Sequence, residues 1–178
     1  VCIPKTEQRG PWGWGVSKGA KAAHDARPVE RIDLIVTEKA IEFIDEVAGK
    51  KPFFINLAYV APHVPTYPAK EFKGRSELGW YGDCVEQMDW CVGEVFQTLE
   101  KHGIADDTLI FFTSDNGAIY HKEYLDKGQG SNLGYLGQKT DAWEGGVRVP
   151  FIARWPGQIP AGKTFDQLFS LIDLAPTA

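Results

Sequence analysis

The chain has 178 residues, of which 43% are hydrophobic and 24% are charged, and its formal net charge at pH 7 is −5. This length and composition suffice for one domain with a substantial core, and they are unlike those of disordered chains. The acidic balance gives no support to a nucleic-acid partner, because neutralising phosphates requires clustered Lys and Arg. No apolar run reaches about eighteen residues, so the sequence predicts no membrane-spanning helix.

Both ends of the sequence suggest a piece of a longer protein. The first residue is Val1 and the single methionine is Met88, so the chain does not begin where translation normally begins. Residues 170–178 have the pattern of a strand that passes into the start of a helix. We therefore expect an incomplete domain, and the lack of a visible signal peptide carries no information about export.

The three cysteines, Cys2, Cys84 and Cys91, do not predict a disulfide framework, because their number is odd and the chain is long. Cys84 and Cys91 lie on one predicted helix, where their spacing separates the two backbones by roughly 10 Å. That distance is too long for a disulfide. We expect buried free thiols.

The first third of the chain predicts a loop, a helix and a strand. Residues 1–29 are rich in Gly, Pro and Trp and predict an irregular loop. Apolar residues at helical spacing over 30–48 predict a helix that Gly49 ends. The nearly continuous apolar run over 52–60 predicts a strand buried on both faces, as in parallel sheets, and residues 61–65 end it.

The rest of the chain continues the alternation of helices and strands. A helix is predicted over 78–102, with Gly103 closing it, and a second buried strand over 108–114. A long polar, Gly-rich stretch covers 118–146. The last predicted elements are a strand over 148–154, a turn at 155–157 and a short strand over 168–172. This order predicts an α/β domain of the doubly wound type, with a largely parallel sheet flanked by helices.

Polar residues follow two of the predicted strands at their carboxyl ends, where open α/β sheets bind ligands. His63 follows the first of these strands, whereas Asp115, Asn116 and Gly117 follow the second. The side-chain oxygens of Asp115 and Asn116 suit a hard cation such as Ca²⁺ or Mg²⁺. Asn-Gly is also a common turn dipeptide, so an ordinary turn is the alternative interpretation.

His63 and Lys139 are candidate anion-binding residues. His63 lies between two prolines, which restrict the backbone and favour one direction for the imidazole. Lys139 follows Gly137 and Gln138, where an ammonium group can neutralise an oxyanion. The alternatives are an incidental loop histidine and a solvated surface lysine.

Four further residues have two interpretations each. Glu144 and Arg148 bracket a Gly-Gly pair, where they either bind substrate or form an ion pair that fixes the corner. Trp12 and Trp14 either stack on a sugar or aromatic ring or simply pack against the protein.

Together these segments resemble the sulfatase family from about residue 30 to the end of the chain. The order and spacing of several blocks make the resemblance far more specific than any one block. The main blocks are Lys51-Pro52-Phe53-Phe54, Ala61-Pro62-His63-Val64-Pro65, Thr108 to Gly117, Gly137-Gln138-Lys139, Trp143-Glu144-Gly145-Gly146-Val147-Arg148 and Ser170 to Thr177.

The resemblance implies an alkaline-phosphatase-like fold, with residues 1–178 as the central-to-late part of one catalytic domain. It implies that Asp115 and Asn116 are the second pair of metal ligands and hold Ca²⁺ rather than Mg²⁺. It also implies that Lys139 contacts the sulfate group and that His63 lies on the opposite side of that group, where an imidazole can supply a proton to the leaving oxygen. The expected substrate is a small sulfate ester or a sulfated glycan, and the expected location is periplasmic, secreted or lysosomal.

Two parts of the family pattern are absent from this sequence. Sulfatases carry their first metal ligands in an Asp-rich block, and their nucleophile is a Cys or Ser in C/S-x-P-x-R that is converted to formylglycine. Cys2-Ile3-Pro4-Lys5-Thr6 begins like that motif, but Thr6 stands where the arginine belongs, so the match is a coincidence. We expect the formylglycine to lie outside this sequence, and we expect no turnover by this segment alone.

Three other functions stay open at this point. Relatives with the same fold cleave phosphate monoesters, diesters or phosphonates, and the identity of the nucleophile would distinguish them. A degenerate homologue would bind sulfated glycans without turnover. The third possibility is an α/β domain without a metal site, which would bind no Ca²⁺.

Overall fold

The computed structural model describes residues 29–130 and 132–177. The chain divides into two compact units. Among the described residues, the first unit consists of residues 29–98 with Lys122–Gln129, and the second consists of Leu99–His121 with residues 130 and 132–177. The predicted loop over residues 1–29 therefore lies almost entirely outside the described residues.

The first long helix, α1, covers Ile32–Val47 and follows a short 3-10 turn at Val29–Arg31. Its apolar residues recur at helical spacing, and the buried ones among them are Leu34, Ala40, Ile44 and Val47. The chain then turns through Gly49, whose φ of +70° lies in the left-handed region that glycine adopts without strain. The prediction of a helix over 30–48 with a terminal glycine is confirmed.

The second long helix, α2, covers Trp80–Lys101 and confirms the second predicted helix. Gly103 terminates it with a φ of +67°. The backbone N–H of Ile104 reaches back to the carbonyl of Leu99 at 3.0 Å, which is the long hydrogen bond of a Schellman motif.

The core of the first unit contains residues of α1, of α2 and of the segment that connects these two helices. Leu34 of α1 and Cys91 of α2 are both buried and belong to one apolar cluster. Ala69 and Phe72 complete this cluster, and Tyr59 packs against it from a half-buried position. Cys84 and Cys91 are free and buried, as predicted, whereas Cys2 lies outside the described residues.

Residues 52–60 form no regular secondary structure, so the prediction of a strand buried on both faces is wrong there. Burial alternates along the run: Phe53 and Tyr59 are half-buried, whereas Phe54 is 82% exposed. Phe53 packs edge-on against Phe43 of α1, with ring centres 6.2 Å apart. A continuous apolar run does not reveal whether one face or both faces will find a partner.

The second unit contains a two-stranded antiparallel sheet formed by β1, Ile110–Thr113, and β2, Phe151–Arg154. Ile110 pairs with Arg154, and Thr113 pairs with Phe151. The two strands lie inside the predicted ranges but are shorter. They run antiparallel, so this pair does not show the largely parallel sheet expected for the domain, which stays a prediction. Apolar runs mark strands but do not encode the direction of the neighbouring strand.

Irregular chain and two short helices connect these strands. Helix α3 covers Lys122–Leu125 and helix α4 covers Glu144–Val147, within the polar stretch predicted over 118–146. After β2, the predicted turn is confirmed, since the N–H of Gln158 donates to the carbonyl of Trp155 at 3.1 Å.

The predicted strand over 168–172 is wrong. A 3-10 turn at Leu171–Asp173 leads into helix α5 at Leu174–Thr177. The N–H of Ser170 donates to the carboxylate of Asp173 at 2.9 Å, so helix-capping chemistry prevails over the apolar pattern. In the parts of the chain that the structure describes, no helix has the length and apolar character needed to cross a membrane.

Candidate active site

The carboxyl end of β1 carries the two predicted cation ligands. Asp115 is exposed and Asn116 is half-buried, directly after the strand. The Ser114 hydroxyl donates to the carbonyl of Asn116 at 3.1 Å, which stabilises the bend. The amide nitrogen of Asn116 donates to the carbonyl of Gly117 at 3.4 Å, so its Oδ1 is the atom that can face a ligand. We call residues 114–118 the cation-ligand loop.

The donor chemistry of this loop fits a hard cation. A carboxylate and an amide oxygen are ligands that Ca²⁺ accepts, and neither is a soft donor that would favour zinc or copper. Two side chains fill only part of a calcium shell of six to eight oxygens. Within the two described stretches, no cluster of three or more His, Cys, Asp and Glu side chains is arranged as a metal site.

Gly117 and Gly145 let backbone segments of this unit pack without side chains between them. The N–H of Gly117 donates to the carbonyl of Gly146 at 2.9 Å. A Cβ atom at Gly117 would lie 2.0 Å from the carbonyl oxygen of Gly145, and one at Gly145 would lie 2.2 Å from that of Gly137. The Gly-Gly pair of α4 is therefore the surface on which the cation-ligand loop rests.

Lys139 lies on a second loop, residues 137–140, which we call the lysine loop. Its backbone N–H donates to the carbonyl of Ala118 at 2.9 Å, which ties the lysine loop to the cation-ligand loop. Just beyond the cation-ligand loop, the N–H of Tyr120 donates to the side-chain oxygen of Gln138 at 2.8 Å, which also holds the lysine loop. Thr140 has a φ of +82°, an unusual value for a β-branched residue. The structure thus brings Asp115, Asn116 and Lys139 together in one unit.

Sequence reasoning missed Asn132, which is 6% exposed and touches both loops. Its Oδ1 accepts from the N–H of Ala118 at 3.2 Å, and its Nδ2 donates to the carbonyl of Gly137 at 2.9 Å. The only signal in the sequence was an Asn inside a Gly-rich stretch, which by itself indicates a turn.

Glu144 and Arg148 form an ion pair between exposed side chains one turn apart across α4. The hydrogen bond and the charge of Glu144 raise the pKa of Arg148 above its usual value. The guanidinium also lies 4.9 Å from the centre of the Tyr135 ring. These contacts favour the interpretation in which the pair fixes the corner.

His63 belongs to the other unit, where it is exposed on the turn that follows residues 52–60. Its backbone N–H donates to the carbonyl of Val60 at 2.9 Å. The ring Nδ1 lies 2.5 Å from the carbonyl oxygen of Val64. Because a carbonyl oxygen can only accept, this contact places a proton on Nδ1 and sets the direction of the ring.

Asp33 is a second residue that the sequence did not reveal. It is 4% exposed and its two carboxylate oxygens accept from the backbone N–H groups of Val60 at 2.7 Å and Ala61 at 3.0 Å. A buried carboxylate therefore holds the turn that carries His63. Beside it lies a recess of about 20 Å³ lined by Asp33, His63 and Gln87 among others. Trp12, Trp14 and Cys2 lie outside the described residues.

The sulfatase family model matches residues 7–178, which is nearly the whole chain. The chain therefore belongs to the sulfatase family, and the family resemblance drawn from the sequence is confirmed.

Two curated proteins illustrate the relationship. Human steryl-sulfatase is 44% identical over 145 residues, which cover 80% of this chain and 24% of that protein. Human N-acetylgalactosamine-6-sulfatase is 40% identical over 144 residues, which cover 81% of this chain and 27% of that protein. The chain thus spans about a quarter of the length of these relatives.

Solved structures show the same relationship in three dimensions. Ps i-CgsB matches with a TM-score of 0.72 at 37% identity, over 82% of this chain and 33% of that chain. BT33336S-sulf of Bacteroides thetaiotaomicron, from work on glycosaminoglycan metabolism, matches with a TM-score of 0.68 at 38% identity, over 75% of this chain and 29% of that chain. These neighbours support the alkaline-phosphatase-like fold of sulfatases.

Proposed function

We propose that the whole protein hydrolyses a sulfate ester and that residues 1–178 supply part of its metal-binding and sulfate-binding machinery. The observation that carries this proposal is the hydrogen bond from the N–H of Lys139 to the carbonyl of Ala118 at 2.9 Å. It joins the loop of the candidate sulfate ligand to the loop that presents Asp115 and Asn116. Both loops lie in the region that the sulfatase family matches.

The chemistry of sulfate-ester cleavage suits these groups. Cleavage places negative charge on the sulfuryl oxygens and on the leaving oxygen, and an ammonium group held near them lowers the energy of that state. Lys139 is the proposed source of this charge, and its backbone is held in place by Ala118. When bound, Ca²⁺ would polarise the sulfuryl oxygens from the side of Asp115 and Asn116.

His63 is the proposed proton donor to the leaving oxygen. Its Nδ1 proton faces the carbonyl of Val64, so proton transfer at this ring would use Nε2. The support for this role is the family resemblance together with the fixed ring direction. A formylglycine in the rest of the protein is the proposed nucleophile, since this sequence has no C/S-x-P-x-R motif.

The proposed substrate is a small sulfate ester or a sulfated glycan. The relatives named above include a steryl-sulfatase and an N-acetylgalactosamine-6-sulfatase. Ps i-CgsB has also been solved in complex with k-i-k-neocarrahexaose, and that structure matches this chain with a TM-score of 0.70 at 36% identity.

We also propose a doubly wound, largely parallel sheet for the whole domain and a location outside the cytosol, as in the family.

The test uses the product of the complete gene and 4-nitrophenyl sulfate as substrate. We expect Lys139→Ala to lower kcat by about 10²- to 10³-fold, the usual effect of removing one group that stabilises a developing anion. The matched control is Lys163→Ala, because Lys163 is an exposed lysine of the same unit. It should leave kcat within twofold.

Metal binding is measured separately by calorimetry. Asp115→Ala should weaken Ca²⁺ binding by at least tenfold, whereas Asp166→Ala, at an exposed aspartate of the same unit, should not. Hydrolysis of 4-nitrophenyl phosphate but not of the sulfate would move the function to phosphoryl chemistry. Ca²⁺-dependent binding of a sulfated glycan without any hydrolysis would instead indicate a non-catalytic homologue.

A further inference from the structure

We propose that Asn132 is a positioning residue that sets the lysine loop at a fixed place relative to the cation-ligand loop. This inference deepens the proposed function and rests on it, since it concerns the same site. Asn132 touches neither substrate nor cation in this proposal. Its role is to act through the backbone of residues 118 and 137.

The geometry of the carboxamide carries the proposal. Oδ1 accepts from the N–H of Ala118 at 3.2 Å, immediately after the Asp115-Asn116-Gly117 sequence. Nδ2 donates to the carbonyl of Gly137 at 2.9 Å, two residues before Lys139. One short side chain therefore links the two loops that bear the proposed cation ligands and the proposed sulfate ligand.

The chemistry of these partners requires an amide. One partner is a donor and the other is an acceptor, so the bridging side chain must accept and donate at the same time. A carboxylate of the same shape could not donate to Gly137, and an aliphatic side chain could do neither. Since Asn132 is 6% exposed, water cannot easily replace either hydrogen bond.

The bridge complements the direct contact between the loops. The N–H of Lys139 already donates to the carbonyl of Ala118 at 2.9 Å. Together the two links use both the N–H and the carbonyl of Ala118, and they hold the lysine loop at Gly137 and at Lys139. Holding the lysine loop at both residues restricts the position of the Lys139 side chain more than a single contact would. Small displacements of a catalytic group from its reacting centre lower the reaction rate strongly.

The experiment compares wild type, Asn132→Ala, Lys139→Ala and the double variant in the product of the complete gene. Steady-state kinetics with 4-nitrophenyl sulfate give kcat and KM, and inorganic sulfate serves as a competitive probe of the anion site. We expect Asn132→Ala to lower kcat/KM about 10- to 100-fold and to weaken inhibition by sulfate about tenfold. In the Lys139→Ala background, Asn132→Ala should lower kcat/KM less than threefold, because Asn132 acts through Lys139.

Controls separate this role from stability alone. Thr98→Ala removes a part-buried side-chain hydrogen bond to the carbonyl of Glu94 at 2.8 Å, outside both loops. Whatever its effect on the thermal midpoint, it should not weaken sulfate inhibition. Asn132→Asp is the second variant, since it keeps the acceptor for Ala118 and loses the donor to Gly137.

Each outcome decides the proposal. Additive losses in the double variant, or unchanged kinetics with a lower thermal midpoint, would overturn the positioning role. Failure of both Asn132 variants to fold, with Thr98→Ala folded, would also overturn it, because the fold itself would then need the bridge. If wild type shows no sulfate hydrolysis, the proposed function fails; if wild type is active and Lys139→Ala is impaired, a normal Asn132→Ala defeats this inference alone.

Discussion

The backbone N–H of Gly117 donates a hydrogen bond to the carbonyl of Gly146 at 2.9 Å. This contact joins the cation-ligand loop that follows β1 to α4, and it is possible only because Gly117 has no side chain. A Cβ atom at Gly117 would lie 2.0 Å from the carbonyl oxygen of Gly145. The position of the Asp115-Asn116 pair therefore depends on a glycine that follows it.

The first prediction is that Gly117→Ala destabilises the protein by about 1–3 kcal/mol, the usual cost of overpacking a closely packed site. It should also weaken Ca²⁺ binding, because the loop must shift to relieve the clash. The measurements are urea unfolding and calorimetry with Ca²⁺.

Gly93→Ala is the matched control for this substitution. Gly93 lies within α2, and a Cβ atom there would meet nothing within 4 Å. Alanine favours the helix, so this variant should be more stable by about 0.5–1 kcal/mol. Equal changes in the free energy of unfolding for the two substitutions would show that Gly117 has room for a side chain.

Asp33 is the subject of the second prediction. Asp33→Ala leaves two part-buried backbone N–H groups, those of Val60 and Ala61, without their carboxylate acceptor. We expect the free energy of unfolding to fall by about 2–4 kcal/mol, because hydrogen bonds to a charged group are stronger than neutral ones. Chemical denaturation measures this loss.

Glu38→Ala on the same helix is the control, since Glu38 is exposed. It should change stability by no more than about 0.5 kcal/mol. If Asp33→Ala were equally harmless, the buried carboxylate would not be what holds the turn before His63.

The two long helices could be predicted from the sequence because their signals are local. Residues of α1 and α2 repeat at helical spacing, and Gly49 and Gly103 mark the ends with left-handed φ values of +70° and +67°. Strand pairing is not local. Nothing within residues 52–60 shows whether another strand lies beside them, and nothing within β1 shows that β2 runs antiparallel to it.

The residues of the candidate site likewise fall into those that the local sequence predicts and those that it does not. Asp115, Asn116 and Lys139 could be predicted because they stand in recognisable blocks of the family pattern. Asn132 and Asp33 could not, because each accepts a hydrogen bond from a backbone N–H distant in sequence, 14 residues away for Asn132 and 27 for Asp33. Such contacts depend on how the chain folds back, which residue type and spacing do not encode.

The third prediction concerns the ion pair between Glu144 and Arg148. Both side chains are more than half exposed, so the pair should add little to stability. We expect Arg148→Ala to leave kcat/KM within about twofold and the thermal midpoint nearly unchanged. The control is Lys122→Ala, which breaks another exposed pair one turn apart, with Asp126 at 2.8 Å.

A loss of activity specific to Arg148→Ala would favour the other interpretation, in which the guanidinium binds substrate. Lys122→Ala reports the background effect of losing an exposed ion pair. The comparison therefore separates a corner-fixing contact from a substrate contact.

The fourth prediction follows from the buried thiol of Cys84. Burial, with smaller effects from the charges of Asp33 and Asp83, raises the pKa of Cys84 to about 11, whereas an ordinary cysteine titrates near 9.0. Between pH 9 and pH 11 the thiol of Cys84 therefore stays protonated in the folded protein but loses its proton in the unfolded chain. The contribution to stability is complete below pH 9 and is lost as the pH rises towards 11.

Unfolding free energy measured between pH 8 and pH 10.5 should therefore fall above pH 9, at a rate of up to about 1.4 kcal/mol per pH unit from this group. Cys84→Ala removes the titrating thiol and should make the fall shallower. Thr98→Ala, which changes a buried residue of α2 that does not titrate, should keep the slope of wild type. An identical slope for Cys84→Ala would show that other groups, such as Cys91 with its own raised pKa, account for the loss.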